Sequence, residues 1–230
     1  IAFISQGNQL RKIPVVGGAP ITLADSVQSL DTSSLAWGDD GVITYMDGRW
    51  RLRRVPESGG ASAVIWTPPP GRFAVLPTAL PKGRGVFFGV CDIQCRGSRD
   101  VWVLDLRSGQ SKQLIPGALQ AWFTAGQLIY LRPDGGVFSQ QFDLGTLNTK
   151  GAAIPVLDGV QVDRGSFPHL VPGNDGSLLY LRGPAGAGAG QAEAVWVGRD
   201  GAATPVDTTW GFNPGHPAGP DHQPLPVPRS

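Results

Sequence analysis

The chain contains two cysteines, and their spacing allows a covalent bond between them. Cys91 and Cys95 are separated by three residues, on a predicted loop between two strands. Three intervening residues let two sulfurs meet across a turn, and such a bond implies an oxidising compartment. We predict a disulfide, with two free thiols or a metal site as the alternatives. A zinc site would need two more ligands, and no histidine is near in sequence, since the three stand at His169, His216 and His222.

Three arginines alternate with apolar residues in a short segment. Arg49, Arg51 and Arg53 flank Trp50 and Leu52, so on a strand the arginines would share one face and the apolar residues the other. One interpretation is a docking surface for a protein or an anion, and these arginines are candidate interaction residues. The other is a solvated outer strand whose charges protect the sheet edge from aggregation.

The C-terminal residues 211–230 are rich in proline. Proline removes backbone donors and favours extended polyproline geometry, so we predict a separate tail after a domain of residues 1–210. Pro224, Pro226 and Pro228 are candidate interaction residues on this tail. The alternative is a loose terminus that binds nothing.

Four of the Asp-Gly pairs in the chain could be imagined as calcium sites, but turn chemistry explains them. They begin at Asp40, Asp134, Asp175 and Asp200. Aspartate before glycine tolerates the left-handed conformation and bonds its own backbone. A calcium loop needs several oxygen donors at alternating positions, and no such run is present. We therefore predict turns without metal.

Catalytic motifs are not convincing anywhere in the sequence. We find no persuasive Gly-x-Ser-x-Gly motif, catalytic triad or carboxylate pair. The glycine-rich residues 183–190 follow a predicted strand but open no helix, as a dinucleotide-binding motif would require. We predict a protein that is not an enzyme and needs no cofactor. A propeller hydrolase or lyase with a site in a central channel is the alternative.

Composition narrows the class of partner. Of 230 residues, 41% are hydrophobic and 16% charged, and 19 basic against 18 acidic residues give a net charge of +1. This apolar content is sufficient for a globular core. A nucleic-acid partner is disfavoured, because a protein with almost no net charge has no long-range electrostatic attraction to nucleic acid. No apolar run reaches the roughly 18 to 20 residues of a membrane helix. The chain opens in an apolar strand without Met, so we expect a processed protein or a fragment, with any membrane tether in a missing upstream segment.

A turn-rich unit repeats along the chain, and the fold it predicts must position the candidate site residues. Small turn glycines between short apolar runs, Gly41, Gly83, Gly126 and Gly176, follow one another at intervals of 42, 43 and 50 residues. That spacing is typical of a four-stranded propeller blade. We predict an all-β propeller of four-stranded blades, six in number, from five clear repeats plus terminal strands. A smaller ring is possible if the termini share a blade.

Several repeated runs carry a resemblance to a known family. They include Leu-Arg-Lys-Ile-Pro-Val-Val-Gly-Gly-Ala-Pro at residues 10–20 and Leu-Arg-Arg-Val-Pro-Glu-Ser-Gly-Gly at residues 52–60, with further runs at residues 100–109, 154–160 and 175–180. Together they resemble the TolB-like, WD-repeat-like propeller at the C-terminal, extracytoplasmic end of bacterial transmembrane Ser/Thr protein kinases. The resemblance implies a sensor or protein-interaction module without a shared catalytic set. Kinase motifs themselves are missing from the sequence.

These observations lead to one functional expectation. We expect a non-catalytic interaction or scaffolding propeller outside the cytoplasm, in the periplasm, whose partner is a protein. It would serve as a sensor domain or as an accessory subunit of a membrane-associated complex. A rigid frame that presents loops to a partner is the mechanism we expect. A channel lined by several ionisable groups would favour an enzyme instead, and an enclosed polar pocket at the channel mouth would favour a small-ligand sensor.

Overall fold

The chain folds into five antiparallel sheets, named blades 1 to 5 in chain order, in a computed structural model. The structure describes residues 1–28, 35–92, 95, 99–163, 167–183, 193–198 and 201–205. Every strand pair within a blade is antiparallel, and consecutive strands are neighbours. This up-and-down order is the one predicted from the repeated turn signals.

Strand bounds are as follows. Blade 1 contains β1 (Ala2–Ile4), β2 (Leu10–Lys12) and β3 (Ile21–Ala24), and blade 2 contains β4 (Leu35–Trp37), β5 (Val42–Met46), β6 (Leu52–Pro56) and β7 (Ala63–Trp66). Blade 3 contains β8 (Phe73–Ala79), a short 3-10 helix (Pro81–Gly83), β9 (Gly85–Cys91), β10 (Asp100–Asp105) and β11 (Ser111–Ile115). Blade 4 contains β12 (Gln120–Thr124), β13 (Gln127–Leu131), β14 (Val137–Asp143) and β15 (Asn148–Leu157). Blade 5 contains β16 (Leu170–Pro172), β17 (Leu178–Arg182), β18 (Glu193–Val197) and β19 (Ala203–Pro205).

Three of the four Asp-Gly pairs named above form turns, as predicted, whereas Asp200 lies outside the described residues. Asp40 Oδ1 accepts a hydrogen bond from the backbone N–H of Val42 at 3.2 Å, and Gly41 has φ +71°. Asp134 and Asp175 accept equivalent bonds from the backbone N–H two residues on, each at 3.0 Å. Each carboxylate is therefore used by its own turn, which is the Asx-turn chemistry expected of these pairs.

The number of blades differs from the six predicted. The described residues form five, because the N-terminal strand does not begin a blade of its own. Ala2 and Ile4 pair with Lys12 and Leu10, so β1 joins the first repeat. Blade 1 consequently has three strands and the other four blades have four.

Apolar cores fill the spaces between successive blades. Leu10 of blade 1 and Ile43 of blade 2 belong to one cluster of fully buried side chains. Similar clusters join blades 2 and 3, blades 3 and 4, and blades 4 and 5. Burial of these faces is the main force that holds the blades against one another. The stacking leaves the first strand of blades 2 to 5 facing a common space.

Candidate functional site

A groove opens where the inner strands of blades 2 to 5 meet. It consists of two adjoining cavities of about 530 and 400 Å³. Their walls come from β4, β8, β12 and β16 and from the turns that follow β4, β8, β12 and β16. A space of this size matches the range of small-ligand and peptide sites. We take this central groove as the candidate functional site.

Uncharged side chains dominate the groove. Its polar members are hydroxyls and amides, from Thr78, Thr124, Gln120 and Asn174. Among the lining residues that the structure describes, Asp39 is the one ionisable group. Asp39 Oδ1 already accepts a hydrogen bond from the backbone N–H of Lys82 at 2.6 Å. The groove therefore offers binding chemistry more readily than acid-base chemistry, which needs paired titratable groups.

Two threonines connect the inner strands of neighbouring blades. Thr78 Oγ1 donates to the carbonyl of Ala121 at 2.6 Å, and Thr124 Oγ1 donates to the carbonyl of Gly173 at 2.6 Å. The first bond joins blade 3 to blade 4 and the second joins blade 4 to blade 5. Both fix the width of the groove at the level of the strands.

Replacing Thr78 or Thr124 with valine should lower the free energy of unfolding by about 1 kcal/mol each, because each change removes a hydrogen bond between neighbouring blades. Equilibrium urea denaturation measures this loss. Thr149 is half-buried on β15 and makes no side-chain hydrogen bond within the described residues, so Thr149→Val is the matched control and should change stability by less than about 0.5 kcal/mol. Equal losses in all three variants would contradict the assigned role.

The predicted disulfide between Cys91 and Cys95 is present, with the two Cα atoms 5.1 Å apart. Both cysteines are buried. The carbonyl of Cys95 accepts a hydrogen bond from Arg99 Nη2 at 3.3 Å, and the Arg99 guanidinium lies 5.3 Å from the centre of the Phe167 ring. Burial lowers the pKa of Arg99 to about 10, against the opposing effect of Asp163. The disulfide thus secures one side of a contact between blade 3 and the segment before blade 5.

The arginine segment does not form the continuous strand predicted for it. Trp50 has φ +61°, and β6 begins only at Leu52. The turn at residues 47–51 requires this left-handed residue, so Arg49 and Arg51 lie before the strand and the alternation of faces is lost there. Arg49 is exposed, whereas Arg51 and Arg53 are half-buried.

Asp47 organises this arginine segment. Arg51 Nε donates to its Oδ2 at 2.8 Å, the Arg53 guanidinium lies 3.6 Å away, and the backbone N–H of Arg49 donates to Oδ1 at 3.0 Å. Burial alone would raise the pKa of Asp47, but the hydrogen bonds from Arg51 and Arg49 keep it below its usual value. Arg53 also donates to Ser62 Oγ at 3.0 Å. The fold uses two of the three guanidinium groups, and a role of the three in partner binding stays a prediction.

A second ion pair lies within blade 3, and its arginine also hydrogen-bonds to blade 4. Arg84, which is 8% exposed, donates to Asp105 Oδ1 at 2.5 Å and to the carbonyl of Gly145 at 2.8 Å. The hydrogen bond from Arg84, with backbone N–H bonds from Arg107 and Ser108, lowers the pKa of Asp105 to about 2. Asp105 therefore binds its proton more weakly in the folded chain than in the unfolded chain.

This shift predicts an acid-dependent loss of stability. The folded pKa of Asp105 is depressed, so its contribution is complete above the ordinary pKa of 3.8 and disappears as the pH falls through about 2. Asp105→Asn should be less stable than the wild type at pH 6, and the two proteins should converge as the pH approaches 2. Urea denaturation at a series of pH values between 2 and 6 measures the difference. A constant difference across that range would contradict the prediction.

The remaining predicted site lies outside the described residues. Pro224, Pro226 and Pro228 belong to residues 206–230, which the structure does not describe. His216 and His222 lie there too. The interaction predicted for this tail therefore stays a prediction.

Sequence reasoning did not find the groove residues. Trp37 and Trp122 carry a repeat signal, because each stands four positions before a turn glycine, and a tryptophan repeated in this way predicts packing between adjacent blades. Trp122 packs against the core between blades 4 and 5, while Trp37 is 38% exposed in the groove. Gln120 and Asn174 carry no such signal, because their importance comes from blade stacking.

Searches of known proteins return structural neighbours only. No protein-family model matches the sequence, and no curated protein matches it. TolB from Acinetobacter baumannii is 19% identical with a TM-score of 0.65, over 86% of this chain and 48% of TolB. The calcium-binding protein regucalcin from Agrobacterium tumefaciens is 13% identical with a TM-score of 0.62, over 86% of this chain and 66% of that chain. A Mycobacterium tuberculosis puromycin-hydrolyzing peptidase is 13% identical with a TM-score of 0.55, over 91% of this chain and 45% of that chain.

These neighbours establish the β-propeller fold. The chain spans about half the length of the TolB structure. Because the neighbours include a peptidase as well as TolB and regucalcin, the fold alone does not identify an activity. Across the described residues, no helix has the length and apolarity to cross a membrane. No cluster of three or more His, Cys, Asp or Glu side chains that could hold a metal occurs in that same part of the chain.

Proposed function

We propose that this chain is a non-catalytic binding module in which a rigid propeller presents the central groove to a protein partner. The observation that carries the proposal is the chemistry of the groove. Its polar lining is almost entirely hydroxyl and amide, with Asp39 as the single carboxylate among the described residues. A hydrolase or lyase site needs a nucleophile and a base, or a paired acid and base, within hydrogen-bond reach.

The disulfide supports a location outside the cytoplasm. Structural disulfides form and persist in oxidising compartments, and Cys91–Cys95 stands at the end of a buried strand. Together with the resemblance to extracytoplasmic propellers, it favours a sensor domain or an accessory subunit of a membrane-associated complex in the periplasm. The kinase context belongs to this proposal and depends on the repeated sequence runs alone.

Site-specific photocrosslinking in the native host tests the binding function. A benzoylphenylalanine at Asn174, which is exposed at the groove, should form a covalent adduct with one protein. The same residue at Val64, exposed on β7 of blade 2, is the matched control and should form none. Adducts only at Val64, or none at either position, would overturn the groove as the contact surface.

Turnover assays test the non-catalytic part. The purified protein should release no product from a chromogenic peptide amide, a chromogenic ester or polygalacturonate. Product formation that is lost on Asp39→Asn would instead establish the enzyme alternative, because Asp39 is the one carboxylate in the described lining.

A further inference from the structure

Gln120 lies in the groove wall, and its side-chain amide has no hydrogen-bond partner in the described part of the chain. It is 5% exposed, lines the groove and makes no side-chain hydrogen bond there. Neither of its amide atoms is among the enclosed, unpaired polar atoms of the described residues, so both are accessible from the groove. Amide groups normally have their donors and acceptor paired, by protein groups or by water. Since Gln120 stands at the wall of a cavity, the pairing can be completed by something that enters the groove.

The backbone of the inner strands also presents hydrogen-bond donors and acceptors without partners in the sheet. β4, β8, β12 and β16 each stand at one end of the strand order of their sheet. A strand in that position has a second row of N–H and C=O groups that its own sheet does not use. The Thr78 hydroxyl occupies one of these groups, the carbonyl of Ala121 on β12. The walls of the groove therefore present backbone donors and acceptors alongside the amides of Gln120 and Asn174.

Apolar surface lies beside these polar groups. Trp37 is 38% exposed and Val171 is 64% exposed, and both line the groove. The indole N–H of Trp37 donates to Glu57 Oε2 at 2.8 Å, which fixes the ring in place. An entering group can thus bury an apolar side chain against Trp37 and Val171 while its polar backbone meets the strand edges.

We propose that the groove binds an extended, uncharged peptide segment of the partner protein, which is an inference that rests on the binding function proposed above. An extended peptide supplies alternating N–H and C=O groups and apolar side chains in the same molecule, as in strand addition to a sheet edge. No cation among the described lining residues would pair an anionic segment. A cationic segment would have only Asp39, which already accepts a hydrogen bond.

A peptide selection followed by titration tests the inference. Random dodecapeptides displayed on phage are selected on the purified wild-type protein, and the most enriched sequence is synthesised with blocked ends. We expect enrichment of sequences without Asp, Glu, Lys or Arg in their central residues. Fluorescence anisotropy then measures the affinity of the labelled peptide, with maltohexaose as a neutral competitor that should have no effect.

Two substitutions of Gln120 locate the binding site. Gln120→Glu places a charge at a buried wall and should weaken binding at least tenfold, and Gln120→Leu should weaken it about fivefold by removing the amide. Gln140→Glu is the matched control on β14, where the amide donates to the carbonyl of Gly151 at 2.7 Å, and it should bind within twofold of the wild type. Thermal melts identify any variant that fails to fold. If Gln120→Glu fails to fold, the affinity of Gln120→Leu decides whether the peptide binds at this wall.

The outcomes separate this inference from the proposed function. The peptide inference is overturned if no peptide is enriched or if the enriched peptides are charged. It is also overturned if maltohexaose competes, or if the folded Gln120 variants bind with unchanged affinity. If the adduct at position 174 forms despite such a result, the binding function stands and the ligand chemistry is different. If the adduct also fails to form, the groove is not the contact surface and both proposals fall.

Discussion

Gly135→Ala is expected to destabilise the protein by about 3 kcal/mol, since it combines backbone strain with a steric overlap. Gly135 has φ +86°, and a Cβ there would lie 2.5 Å from the carbonyl oxygen of Val160. The overlap cannot be relieved by a side-chain rotation because both groups belong to backbone. The backbone N–H of Val160 also donates to the carbonyl of Gly135 at 3.1 Å, so any movement of the segment loses a bond.

Gly109→Ala is the matched control for this prediction. Gly109 has φ +72° and is also a turn glycine, but a Cβ at this position would meet no atom within 4 Å. The control should therefore lose only the cost of a left-handed alanine, about 1 kcal/mol. Equilibrium urea denaturation of both variants gives the difference, which isolates the contact with Val160. Equal losses would mean that the Val160 segment moves away freely.

The two glycines also show how far the sequence predicts the fold. The Asp134-Gly135 pair is a recognisable turn signal, and the turn is where the pair predicts it. The contact between Gly135 and Val160 has no such signal, because it joins a turn of blade 4 to the segment that leaves the blade. Local turn chemistry is readable from two neighbouring residues, whereas contacts between distant backbone segments depend on the finished packing.

The same reasoning explains the arginine segment. Alternation of Arg49, Arg51 and Arg53 with apolar residues predicts a strand, and the pattern is correct for Leu52 and Arg53 in β6. Trp50 breaks it by adopting φ +61°. A large aromatic residue is an unusual choice for that conformation. The turn itself has a local signal in the Asp47-Gly48 pair, which the alternation of arginines obscures. Asp47 closes the turn locally through bonds from the backbone N–H groups of Arg49 and Arg51, and packing adds a tertiary contact, since Trp50 lies edge-on to Phe73 of blade 3 at 5.1 Å.

The blade count and the groove depend on long-range order as well. The 42-residue spacing predicts four-stranded blades, and four of the five blades have four strands. It does not fix how the first repeat is completed, because strand pairing at a terminus depends on what lies beside it. Gln120 could not be chosen from the sequence for a similar reason. It is an ordinary strand residue until four inner strands converge around it.

Phe87→Ala is expected to lower the free energy of unfolding by about 3 to 5 kcal/mol, through lost burial and the cavity left behind. Phe87 is 1% exposed on β9, and its ring meets that of Phe142 of blade 4 edge-on at 5.2 Å. Both rings belong to the apolar cluster between blades 3 and 4. The substitution therefore removes contacts between blades as well as contacts within one sheet.

Phe138→Ala is the control, because Phe138 is half-buried and stacks on Tyr130 within blade 4 at 5.4 Å. Its loss should cost about 1 to 2 kcal/mol, since less area returns to water and one ring pair is lost. Urea denaturation followed by tryptophan fluorescence and by circular dichroism should give coincident transitions in both variants if the blades unfold together. Separate transitions in Phe87→Ala would instead show that blades 3 and 4 unfold independently. That result would contradict the premise that stacking makes the propeller one rigid frame for the groove.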